Sequence, residues 1–252
     1  MNEQRKVRSL LVTSVLVAVL GCGLVSAQTF TTDFRIEDCH FSDHGGNPYF
    51  SLEPGDRLVL EGEEDGEEIL LVITVTNQER EVTFETEDGV ELEVETRVIE
   101  ERESIDGELF EVSRNFYARC RETNDVYYFG EEVDFYEDGE IVGHEGAWLA
   151  GVDDALPGII MPGTFLLGSR YYQEIAPEVA LDRAENVEMG LTVEVPAGTF
   201  EDCVAVIETT GLDPDEEGFK IYCPEIGLVN DNDAIELVEY GDDDDDDDDD
   251  DD

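Results

Sequence analysis

From Arg57 to Gly146 apolar and polar residues alternate in successive runs, and the runs are separated by Asp65-Gly66, Asp88-Gly89, Asp106-Gly107 and Asp138-Gly139. Asp-Gly suits the two-residue turn of a tight hairpin, whose central positions both need positive φ. Four such pairs in succession predict consecutive antiparallel strands. The runs themselves, such as "EEILLVITVTN" and "ELFEVSRNFYARC", are rich in β-branched and aromatic residues at period two, the pattern of a sheet with one packed and one wet face. Beyond Arg170 a second set follows: "RYYQEIA", "GLTVEVPAG", "DCVAVIETT", "FKIYC" and "AIELVEY". Helix is expected at most once, over Pro177–Asn186, where proline occupies the first turn.

The passage "AGVDDALPGIIMPGTFLLGS" joins the two sets. Its Leu156, Ile159, Ile160, Met161, Phe165 and Leu166 are too apolar for an exposed linker, so it is expected to be a loop packed over one continuous core. The fold class is therefore mainly β: a single curved antiparallel meander, half-barrel-like, spanning residues 28–240. Segments 1–27 and 241–252 stand apart as a signal peptide and a disordered poly-aspartate tail.

Charge changes this picture more than length does. Among 252 residues, 67 are acidic and 14 basic, a formal net charge of −53, and the lysines are Lys6 and Lys220. Such a field repels nucleic acid and anionic membrane surfaces. The acids recur on nearly every strand and turn, as in "ELEVETRVIEERE", which fits a surface adapted to high salt, where ionic strength screens self-repulsion. The aspartates from Asp242 through Asp247 to Asp252 have no apolar area to offset the entropy of ordering; they condense cations diffusely.

The first residues carry the layout of an export signal: Arg5, Lys6 and Arg8, an apolar run from Leu10 to Leu20, then small residues. Val25-Ser26-Ala27 permits ordinary cleavage before Gln28. Val19-Leu20-Gly21-Cys22 is similar to a relaxed lipobox, which would leave Cys22 lipidated and supply the chain's membrane contact. An uncleaved transmembrane anchor is disfavoured by the short apolar run. Either cleavage leaves Cys39, Cys120, Cys203 and Cys223, an even count that suggests two disulfides in an oxidising compartment. Folding Cys203–Cys223 as a hairpin about Asp213 sets those two cysteines opposite each other. Cys39 with Cys120 follows by elimination.

Several blocks resemble one uncharacterised family of exported bacterial proteins. They are "NPYFSLEPGDRLVLEG", "GAWLAGVDDALPGIIMP", "YYQEIAPEVALDRAENV", "VPAGTFEDC" and "KIYCPEIGLV", and together they cover most of the chain after residue 28. The last two are similar to blocks of the TapB/DUF3108-like proteins. The resemblance implies a curved, largely antiparallel sheet and no particular activity. Cys223-Pro224-Glu225 departs from the family's Ala-Pro-Gly, which supports an extra disulfide.

Candidate chemistry is sparse. His40 and His44 have the i, i+4 spacing of a helical metal pair, and His144 could join them, but Gly45-Gly46 leaves no room for a helix of useful length. "DPDEEG" (213–218) and "NDND" (230–233) share the acidity of calcium loops without their twelve-residue spacing, so no cofactor is expected, calcium being the one with any basis. No G-x-S-x-G elbow or phosphate-binding glycine loop occurs. Tyr117, Tyr127, Tyr128, Phe129, Phe135, Tyr136 and Trp148 either line an apolar groove or fill the core. The expected function is a non-catalytic extracytoplasmic binding or surface module, with a small molecule, a cation or an envelope component as partner. The alternatives are a carboxylate hydrolase and a calcium- or mineral-binding protein acting through the tail.

Overall fold

The computed structural model of the chain describes residues 29–64, 66–86, 89–213 and 215–242. Segment 1–28, with Cys22, and the aspartates from 243 on, with Asp247 and Asp252, lie outside the described residues. The chain forms strands β1 Phe41–Ser42, β2 Asp56–Glu64, β3 Glu67–Glu85, β4 Glu91–Ile105, β5 Glu108–Cys120, β6 Val126–Glu137, β7 Glu140–Gly143 and β8 Trp148–Leu149. They are followed by β9 Leu156–Met161, β10 Arg170–Tyr172, β11 Glu174–Ile175, β12 Asp182–Val195, β13 Gly198–Thr210, β14 Glu217–Cys223, β15 Gly227–Asp231 and β16 Ile235–Asp242.

The hairpin grammar is realised at two of the Asp-Gly pairs, while Asp65 and Asp88 of the other two lie outside the described residues. Asp106 and Gly107 have φ of 51° and 83°, and Asp138 and Gly139 have 53° and 78°; both residues of each pair are in the left-handed region that such turns require. Strands β2 to β6 are successive neighbours, and so are β12 to β16. Strand β16 returns to pair with β2, matching Leu237 with Leu60 and Asp242 with Asp56, which joins the two sets into one antiparallel sheet. The sheet thus takes in Gly241 and Asp242, two residues past the boundary expected at 240.

Bulges bend it. Register shifts occur between Val75 and Glu79 on β3, three times along β12, and between Leu237 and Glu239 on β16. Each shift adds twist and curvature locally. The sheet curls until its terminal strands, β10 and β11, are consecutive in the chain and separated only by Gln173. It is not closed by a continuous ladder, yet at this seam Gln173 N–H donates to the Asp182 carbonyl and β11 pairs with β9. Gly158 on β9 is required here, because a Cβ would lie 2.4 Å from the Tyr172 carbonyl oxygen.

Two expectations need correction. Pro177–Asn186 is not a helix: Ala176–Ala180 makes a single turn, and Asp182 onward is strand, with Ala184 opposite Tyr171. One turn of helix is too short to sustain itself, and cross-strand pairing on both sides overrides its propensity. The single 3-10 turn among the described residues is Ile36–Asp38. The glycine- and proline-rich passage is not simply loop either, since Leu156–Met161 is strand β9 against β6, while Leu166 is exposed.

The inward faces make two apolar clusters. One centres on Val94, Phe116, Tyr127 and Phe129, the other on Leu60, Val204, Val206 and Leu237; Phe50, Ile73 and Ile160 pack on both. The disulfides are Cys39–Cys120, which ties the chain preceding β1 to the end of β5, and Cys203–Cys223, which lies across the β13–β14 hairpin.

Candidate functional site

Where the two clusters meet, the interior is not filled. A cavity of about 240 Å³ lies there. Its walls are Leu58 from β2, Leu71, Ile73 and Val75 from β3, Ile99 from β4, Ile160 from β9, Leu228 from β15, and Ile226 just before it. Aromatic residues complete the lining: Tyr49, Phe50, Tyr117, Tyr222 and Tyr240. The rim is formed by exposed Glu225, Tyr240, Gly241 and Asp242, with Asp56 and Arg57 beside them. Asp242, expected as the start of a disordered cation-condensing run, is therefore placed at the mouth of a cavity.

The enclosed end carries charge. Glu101 lies on β4 two residues beyond Ile99, so strand alternation turns both side chains into the cavity that they line. Its cross-strand neighbours are Ile73 on β3 and Ser113 on β5. Burial pushes the Glu101 carboxyl up to about 7, against a lowering by Lys220 and with smaller upward contributions from Asp231, Glu111 and Glu208. Glu101 is surrounded by protein but keeps contact with solvent inside the cavity, and it makes no hydrogen bond or ion pair among the described residues.

Lys220 on β14 also faces the cavity. Its ammonium lies 2.9 Å from Glu208 and 3.8 Å from Asp231. Burial alone would lower it, yet Glu208 and Asp231 outweigh that and hold it well above the ordinary lysine range. Asp231 is itself raised, because burial together with Glu208 and Glu64 outweighs the lysine at its longer distance. Its Oδ1 is buried with no hydrogen-bond partner. Burial raises Glu103, Glu111 and Glu131 too, the last to about 7. The interior of the curled sheet is thus acidic at one level across β4, β5, β6, β13 and β15. Tyr117 and Tyr222 stay neutral phenols, raised first by burial and then by these carboxylates.

The residues singled out from the sequence are distributed differently. Both expected cysteine pairings are present. The histidines are not brought together: His40 contacts Glu122, His44 contacts Asp43, and His144 accompanies Asp134 and the Val133 carbonyl. Among the described residues an acidic trio, Asp43, Glu79 and Glu95, gathers near Arg97, whose guanidinium is 2.5 Å from Asp43 and 3.5 Å from Glu79. Asn230–Asp233 is the end of β15 and the start of the turn after it, where the Asn230 and Asn232 side-chain oxygens accept the Asp233 and Phe219 N–H groups. Of the aromatics, Tyr127, Tyr128, Phe129 and Trp148 are core, and Tyr117 alone reaches the cavity.

Fold and site together define a class: an antiparallel sheet curled around a small apolar cavity with an unpaired carboxyl at its enclosed end. No family model matches the chain, and no curated protein does. Among solved structures, a chain from Parabacteroides distasonis ATCC 8503 described as a "putative lipoprotein" is 12% identical, with 79% of this chain and 100% of that one covered at a TM-score of 0.37. A likeness of that degree bears on neither the site nor its use.

Proposed function

We propose that the chain is a non-catalytic binding module of the extracytoplasmic space, adapted to high salt, which takes a small and largely apolar ligand in the cavity between its two core clusters. The observation that carries this reading is the cavity itself. A close-packed interior leaves few voids larger than a water molecule, and apolar walls with a few convergent polar groups are the usual form of a ligand site. At about 240 Å³ the space suits a ligand smaller than most cofactors. The two disulfides support an oxidising compartment, and the excess of 67 acids over 14 bases supports salt adaptation.

The test is saturable binding of the neutral fluorescent probe N-phenyl-1-naphthylamine to the full chain. One probe per chain is expected, with loss of binding in Leu71→Trp, which fills the space without changing the melting temperature by more than a few degrees. Probe binding that survives Leu71→Trp would overturn the reading. A second reading, carboxylate hydrolysis, draws on Glu101 and Asp231 lining one cavity. Release of nitrophenol from nitrophenyl glycosides, abolished by Glu101→Gln, would select it instead.

A further inference from the structure

We propose that the ligand of this cavity is an amphipathic amine, whose ammonium group pairs with the Glu101 carboxylate while its hydrocarbon lies against Leu71, Ile73 and Ile99. The inference rests on the cavity being a binding site and adds the chemistry of what enters it.

Glu101 stands where alternation along β4 calls for an apolar residue, since Ile99 two residues before it faces the same space. An acid at such a position costs free energy unless something pairs with it. Nothing in the described chain does so by hydrogen bond or ion pair. Lys220, the cation whose charge acts on Glu101, is already engaged by Glu208 at 2.9 Å and Asp231 at 3.8 Å. One ammonium therefore faces Glu101, Asp231 and Glu208, with Glu111 and Glu131 close behind, and the enclosed end has a negative balance. A partner that supplies both positive charge and N–H donors is the missing component.

The rest of the cavity selects the same chemistry. Phe50 and Tyr117, with ring centroids 5.0 Å apart, both line it and present aromatic rings that attract a cation. At the rim, Arg57 is paired with Glu239 at 2.8 Å, while Asp56, Glu225 and Asp242 are acidic, so the entrance draws cations and repels anions. A fatty carboxylate would meet like charge at both ends. A fully apolar ligand would leave Glu101 as it is now, without a partner.

Hexylamine, hexanol and hexanoate share one hydrocarbon and differ only in the head group. Their affinities for the full chain, measured at pH 8 by displacement of N-phenyl-1-naphthylamine, test the inference. Hexylamine is expected to bind about tenfold or more tighter than hexanol, the usual margin of a charge-assisted hydrogen bond, and hexanoate more weakly than either. Glu101→Gln should remove the difference between amine and alcohol and leave hexanol unchanged. Should that variant not fold, Glu101→Asp, which withdraws the carboxylate by one methylene, should weaken hexylamine selectively. Equal binding of all three, or a preference for hexanoate, overturns the amine inference while the cavity reading stands. Failure of all three, with no probe binding to displace, overturns both.

Discussion

Glu101 and Glu131 are carboxyls that burial pushes up to about 7 from an ordinary 4.5. Between those values the folded chain keeps protons that the unfolded chain has released, so folding stability falls as pH rises through that window. A shift of that size corresponds to about 3 kcal/mol per group. Glu174, also raised by burial and then by Asp182, acts in the same direction. Thermal unfolding at constant high salt should therefore give a lower Tm at pH 8 than at pH 5. Glu101→Gln should flatten part of that slope, because glutamine carries no ionisation penalty, whereas Glu140→Gln at the exposed start of β7 should leave it unchanged. A flat profile in the unmodified chain would mean that these carboxyls are not desolvated. Arg97 shows the contrasting case of a buried charge that is satisfied: it donates to the Asp43 carbonyl and carboxylate and to the Gln78 carbonyl.

Among the elements, the hairpins were the most legible part of the sequence and the short strands the least. Asp106-Gly107 and Asp138-Gly139 name their own turn type, and the long alternating runs of β3 to β6 leave little choice of period. The cysteine pair 203 and 223 could be placed because one hairpin fixes both positions; β13 and β14 match Val204 with Tyr222, one step inside the pair. Strands β9 and β15 were missed because their length and glycine content look like loop until a neighbour supplies the hydrogen bonds. The cavity acid was missed for a different reason. In "VIEERE" the adjacent Glu100 and Glu101 fall on opposite faces of the strand, and only the register against Ile73 and Ser113 decides that Glu101 turns inward. The disulfides offer a test of how the elements are tied. The Cys39–Cys120 bridge spans 81 residues and Cys203–Cys223 spans 20. Loop-closure entropy assigns them about 4–5 and about 3 kcal/mol respectively. Chemical denaturation of Cys39→Ser/Cys120→Ser should thus show the larger loss. The opposite order would place the main contribution of the hairpin bridge in the folded state.

At the scale of the whole molecule, the net charge of −53 gives the proposed salt adaptation a direct test. Self-repulsion among the carboxylates is screened within about 8–10 Å at ordinary ionic strength and far less in dilute buffer. Dialysis against low salt should lower the Tm, and sodium or potassium chloride should restore it equally, since screening depends on ionic strength rather than ion identity. Recovery by micromolar calcium but not by molar sodium chloride would contradict that account. The seam at Gln173 has a further consequence for such a chain. Strands β10 and β11 are the two ends of the main sheet, three and two residues long, and they lie next to each other. Thr31 bridges Tyr171 at the same place. A sheet edge is ordinarily a template on which another chain can add a strand. Here Thr31 donates its N–H to the Arg170 carbonyl and accepts from the Tyr172 N–H, so a partner adding a strand at β10 would first have to displace the chain at residue 31.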